Sequence, residues 1–124
     1  MPVDRDLKCI SYPASGDLSA GQFRIVAIDA NGRVGLANGT VDKVVGILQN
    51  KPSALGQAAQ VAIGGVSRCV AGASVAPGDF IVANAQGFAL AGAGATSQVV
   101  GRAVSNEANG SALLFECQIG VMVL

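Results

Sequence analysis

Between Ala59 and Gly87 the chain reads AQVAIGGVSRCVAGASVAPGDFIVANAQG: short apolar runs cut by a glycine pair, a glycine step and Pro77-Gly78-Asp79. Each run has the length of a strand, and none sustains the 3.6-residue stripe of a helix. Val61, Ile63 and Val66 fall near period two around Gly64-Gly65. That spacing predicts one strand with a bulge, since residues without Cβ let the pleat slip by one. Pro77 pre-sets its φ and Gly78 accepts a positive φ, which predicts a turn. Beyond the turn, Phe80 and Val82 share one strand face and Ile81 takes the other. The rest of the chain follows the same grammar. The expected fold is therefore all-β, a compact β-sandwich or barrel-like domain with few or no helices.

The grammar recurs in order. Ser19 to Val26 stands against Ala76 to Val82, with Phe23 facing Phe80. Asn31-Gly32 stands against Gln86-Gly87, Lys43 to Ile47 against Gln98 to Arg102, and Ala62-Ile63-Gly64 against Gln118-Ile119-Gly120. The step between matched landmarks is 57 residues, then 55, then 56. Two similar β modules, about 19–67 and 76–124, account for this order. Composition alone, in a chain rich in glycine, alanine and valine, is the competing explanation. Asn31-Gly32 reads as a hairpin turn, because both residues tolerate positive φ. Ser53 to Gln60 is alanine-rich enough for one helical turn, although Gly56 weakens it.

Residues 1–18 read differently, as an N-terminal arm or edge strand ahead of a single β domain at 19–124. Asp4, Arg5, Asp6 and Lys8 alternate in sign, Pro2, Pro13 and Gly16 interrupt, and Leu7 to Tyr12 has strand character. Such an arm either orders against a neighbour through Val3, Ile10 and Tyr12 or frays. At the other end, Ala112 to Leu124 reads as the last strand. Its tail, Val121, Met122, Val123 and Leu124, is apolar on both parities, which predicts burial on both faces, in the core or at a subunit boundary.

The charge pattern narrows the partners. Only 13% of the 124 residues are charged, against 51% hydrophobic, and eight basic residues balance eight acidic ones. With so little charge, part of the surface is expected to be hidden in an oligomer or assembly. No basic run exists to attract a phosphate backbone, so nucleic acid is not an expected partner. No stretch approaches ~20 uninterrupted apolar residues, so no membrane span is expected. The start, MPVDRDLK, lacks the apolar region of a signal peptide, which points to a protein made and kept in a cytoplasm, at least at first.

Chemistry-bearing motifs are sparse. There is no histidine, the commonest general base and the usual partner of serine or cysteine nucleophiles. Asp29, Asp42, Asp79 and Glu116 are the carboxylates available in principle, and they form no recognisable constellation. Ser67-Arg68-Cys69 has no visible base. Cys9, Cys69 and Cys117 are widely spaced and read as small strand hydrophobes, not metal ligands. Gly92 to Ser97 lacks the lysine and following helix of a phosphate loop. No catalytic, cofactor or metal residues are expected. Asp42-Lys43-Val44 resembles the lysine hairpin of lipoyl and biotinyl carrier domains, also quasi-duplicated β structures. That carrier reading, with Lys43 modified, stays as an alternative, as does a generic β interaction module. Lys43 runs straight into Val44-Val45, which favours a solvated strand start.

The order of Val45-Gly46, Gly56-Gln57, Val61 to Gly65, Gly78-Asp79, Val100-Gly101-Arg102-Ala103 and Phe115 to Leu124 resembles the capsid cement, or head decoration, proteins of tailed bacteriophages. The resemblance spans roughly Ser19 to Leu124 and implies a small, non-enzymatic all-β virion protein. It further implies a homotrimer on the outer capsid surface, assembled in the host cytoplasm, that stabilises the shell by bridging major capsid subunits. Under that reading Pro2, Val3, Asp4, Arg5 and Asp6 are the expected capsid contacts, and Val121 to Leu124 the oligomer or core strand. Because the sequence stops at its last strand, a bare clamp is expected, without an added host-binding domain.

Overall fold

The computed structural model describes residues 7–39, 43–92, 97–105 and 114–123, with Met122 and Val123 described by their backbone alone. Among the described residues there is no helix. Ten strands run in chain order: β1 (Lys8–Pro13), β2 (Ile25–Ile28), β3 (Val34–Leu36), β4 (Val44–Leu48), β5 (Ala58–Gly64), β6 (Val66–Val70), β7 (Phe80–Ala83), β8 (Ala89–Ala91), β9 (Gln98–Ala103) and β10 (Leu114–Val123). They form two antiparallel five-stranded sheets, ordered β1-β5-β4-β2-β3 and β6-β10-β9-β7-β8. The all-β, sandwich-like architecture is the expected one.

Adding five to each strand number converts the first order into the second. The match extends to individual hydrogen bonds, at a step of 55 residues through β2–β4 and β7–β9. Phe23 N–H donates to Leu48 O at 2.7 Å, and Gly78 N–H to Ala103 O at 2.8 Å. Leu48 N–H donates to Arg24 O, and Ala103 N–H to Asp79 O. In both hairpins a side-chain oxygen closes the turn: Asp29 Oδ1 accepts from Asn31 and Arg33 N–H, and Asn84 Oδ1 from Gln86 and Phe88 N–H. Ala14 bridges to Val34 and Ala71 to Ala89, so in each module the chain leaving one edge strand touches the opposite edge. Each sheet thus curls towards closure.

Three expectations need correction. The repeat pairs Phe23 with Gly78 and Ile25 with Phe80, so matching the two phenylalanines misplaces the register by two residues. The reason is backbone geometry: Phe23 has φ 65 and Gly78 has φ 94, the same left-handed turn. Phe23 is the one non-glycine residue with positive φ among those described, and holding it there costs on the order of 1–3 kcal/mol. Second, residues 58–70 are not one bulged strand. Gly65, at φ 85, swings the chain from the first sheet into the second, so β5 and β6 belong to different modules. Third, the alanine-rich stretch forms a turn at Leu55-Gly56 and then strand β5, with no helical turn. Repeated units drawn from the sheets begin at β1 and β6.

Burial distinguishes the modules. Val26, Val34, Leu48, Ala59 and Val61 are buried within module 1, capped by Ala14 and Leu18. Their repeat mates in module 2 (Ile81, Ala89, Ala103, Phe115 and Cys117) share a second core with the opposite face of module 1, at Ile25, Ala27, Ile47 and Ala62. One face of module 1 therefore packs on module 2.

Candidate functional site

No reaction centre is assembled among the described residues. They contain no group of three or more potential metal ligands. The acidic candidates that can be placed have structural tasks: Asp29 closes the β2–β3 hairpin, and Asp79 Oδ2 accepts from Ala76 N–H at 3.0 Å across the Pro77-Gly78 turn. Glu116 lies on β10, where its N–H donates to Ser105 Oγ. Asp42 lies outside the described residues, as do 93–96 of the Gly92–Ser97 loop. Asp17, exposed, is held below the usual carboxylate range by the Ser19 side chain and then its N–H.

The two buried thiols are equally inert in arrangement. Cys69 and Cys117 are buried and Cys9 is exposed; all three are free. Burial pushes the Cys117 thiol up to about 12. Burial, then the neighbouring Cys117, pushes Cys69 up as well. A thiol held neutral is neither a nucleophile nor a metal ligand. Ser67 is buried, donates to Arg68 O and accepts from Gln49 Nε2 at 2.8 Å, with no base beside it. Lys43 is exposed, and its carbonyl accepts from Ile28 N–H at the start of β4. It opens a paired strand, where a carrier lysine would stand at a hairpin tip.

What the surface offers is apolar area. Leu7, Ile10, Leu55, Val104, Leu114 and Val121 are large, apolar and exposed. Leu7 and Ile10 lie on or beside β1, an edge strand. Val104 follows β9, and its N–H donates to Glu116 O. Residues Pro2, Val3, Asp4, Arg5 and Asp6 fall outside the described residues. So do Leu124 and the side chains of Met122 and Val123. β10 lies between β6 and β9, yet Val121 is 43% exposed in the single chain. The register slips between Ile119 and Met122, which breaks the strict alternation of faces there.

Two shallow grooves flank these side chains. One is lined by Phe80, Gly101, Arg102, Gln118, Ile119 and Gly120, with the Arg102 guanidinium 4.9 Å from the Phe80 ring centre. The other, lined by Leu7, Phe23, Gln49, Val66, Ser67 and Arg68, lies where the modules meet. The sequence reading missed both, along with Val104 as an exposed apolar position, though it marked Ile10 as an apolar side chain free to meet a neighbour.

Surface of this kind suits binding. The N base of the bacteriophage phi29 head fibre gp8.5 is similar in fold. Its TM-score is 0.62 at 18% identity, covering 95% of this chain and 98% of that one. No curated protein sequence matches significantly. A family model described as phage cement protein matches residues 5–120, nearly the whole chain. A chain matched over that length belongs to the phage cement protein family, structural proteins of the phage virion.

Proposed function

We propose that this protein decorates the outer surface of a phage capsid as a homotrimer and stabilises the shell by bridging neighbouring major capsid subunits. The family match over residues 5–120 carries the reading. The exposed apolar positions, with no reaction centre assembled among the described residues, support a mechanical role over a catalytic one. In this reading residues 1–18 supply an arm and the edge strand β1, and 19–124 the rest of the body. Pro2 to Asp6 touch the shell, and Val121 to Leu124 lie at the subunit boundary. Assembly takes place in the host cytoplasm, and no cofactor takes part.

The mechanism is linkage. Three weak capsid contacts on one trimer act together, because the first raises the effective concentration of the other two. A protein that binds only the intact shell stabilises it by mass action. The test is co-sedimentation of the purified protein with capsids, with capsid melting followed in parallel. The full chain should pellet with the shell and raise its melting temperature. A variant lacking residues 1–6 should remain trimeric by light scattering and pellet less. A full-length protein that leaves capsids unbound and unstabilised refutes the proposal; an arm deletion that binds like the parent removes the arm's role. Intact mass showing lipoyl or biotinyl addition at Lys43 would favour the carrier alternative.

A further inference from the structure

The contact between the modules has a direction. From module 1, the Arg24 guanidinium sits 4.2 Å from the Phe88 ring centre of module 2. Ile25 N–H donates to Gly87 O at 2.8 Å, and Gln49 Nε2 donates to Ser67 Oγ at 2.8 Å. From module 2, Val70 N–H donates to Phe23 O at 2.9 Å. A pseudo-two-fold would repeat these contacts with the modules exchanged, and the structure does not. Gly87 is buried, and a Cβ there would meet Ile25 O at 2.8 Å; its mate Gly32 is exposed, with nothing within 4 Å of such a Cβ. Ile10 and Val104, the mates of Ser67 and Gln49, are 44% and 45% exposed. Two different surfaces meet inside the chain, so each recurs uncovered: module 2's kind on module 1, around β1 and the Gly32 turn, and module 1's kind on module 2, around Asp79, Phe80 and Val104.

We propose that these two open surfaces dock on each other between copies of this chain, head to tail, in a copy of the internal contact. The residues at the mating positions carry it. Where the internal contact pairs Gln49 with Ser67, the copied contact pairs Val104 with Ile10, two exposed apolar side chains that would leave water together. Where it sets Arg24 over Phe88, the copy sets Asp79 against Arg33, opposite charges. Both pairs change on both sides and stay complementary. Phe80 N–H and Gly32 O take the places of Ile25 N–H and Gly87 O. The groove at Phe80, Arg102 and Gln118 replaces the buried Ile25, Ile47 and Ala62, and its mixed lining, with Arg102 and Gln118 beside Phe80, suits a contact that forms after folding. One bond is not copied: Val70 maps to Pro13, which has no N–H. A heterologous contact closes into a ring or runs on as a filament. Three chains would make a ring of six modules, matching the trimer proposed above, but the contact does not depend on capsid binding.

The test is a cysteine pair, Ile10→Cys with Val104→Cys, in a Cys9→Ala background of the full chain, oxidised mildly without capsids. Disulfide-linked species of two or more chains should appear on non-reducing gels, and neither single-cysteine variant should cross-link. A monomeric disulfide, no cross-link, or equal cross-linking of the single variants overturns the proposal. Independently, Arg33→Glu places like charges together and should raise the concentration at which the oligomer dissociates by about tenfold. An unchanged oligomer from a variant with native circular dichroism overturns it as well. A wild-type monomer that binds capsids would assign these surfaces to the shell instead.

Discussion

Gly46→Ala, beside its repeat mate Gly101→Ala, is the sharpest test of the duplicated architecture. Gly46 sits in β4 and Gly101 in β9, each against the long last strand of its module. A Cβ on Gly46 would collide with Ala62 O and approach Val61 Cγ1 at 2.9 Å; on Gly101 it would collide with Gln118 O and approach Cys117 Sγ at 3.1 Å. The obstacle in both is backbone in a paired strand, which cannot rotate away. Restoring an ordinary contact moves the strand on the order of 1 Å, which stretches a ~2.9 Å hydrogen bond past its useful range. Losing two ladder bonds at ~1–1.5 kcal/mol each, plus disturbed packing of a buried neighbour, sums to about 3–4 kcal/mol. That is a large part of a domain's ~5–15 kcal/mol. Melting followed by circular dichroism should show a fall of roughly 10 °C or more for each variant. Gly16→Ala is the control: it has open space around it and no positive φ, so it should stay within about 0.5 kcal/mol of the parent. A Gly46→Ala protein as stable as that control would refute the close strand approach and the equivalence of the two glycines.

Gly87→Ala and Gly32→Ala share nearly the same φ, 78 and 76, but only the first would push a Cβ into Ile25 O. Both should lose about 1 kcal/mol to backbone strain; Gly87→Ala should lose at least as much again through the module contact, and equal losses in chemical denaturation of dilute, dissociated protein would show that contact to be slack. A thiol reagent at neutral pH should label Cys9 in the native protein and reach Cys69 and Cys117 only after denaturation; prompt labelling of three thiols would contradict the buried pair. The raised folded pKa of Cys117 means the native state keeps a proton that the unfolded chain gives up above about 9.0, so its stabilising share is whole below that pH and is lost as pH rises towards about 12. Cys117→Ala should flatten the alkaline decline in a urea-melt series, and an unchanged slope would assign the decline to other groups.

Much of the fold was legible because turn chemistry is local. Pro77-Gly78, Asn31-Gly32 and the Val-Gly steps act through φ and the absence of Cβ, properties a residue carries wherever it stands, and the strands fell between them. The same locality limited the reading of the repeat. Phe23 and Phe80 match as letters, but a left-handed turn is matched by backbone, and Phe23 shares that backbone with Gly78. Gly65 was misread for a related reason. A glycine between two apolar runs marks a bulge when both runs pair in one sheet and a crossing when they pair in two, and only the distant partners decide which.

The sequence by itself determined the class of fold and pointed to the family: period-two runs between glycines required β-structure, and the order of those glycines indicated the family. Tertiary structure alone decided how the modules meet. A strand pattern shows which residues share a face and is silent on what covers it. Ile25 and Phe80 occupy equivalent positions and look equally apolar, yet one is sealed beneath module 2 and the other borders an open groove. Ile10 and Ser67 carry the reverse inequality: the serine is buried in its hydrogen bonds and the isoleucine stands in water. Burial depends on a neighbour folded from residues far along the chain, so it is the packing of one module on the other that settles which surfaces are spent and which remain to bind.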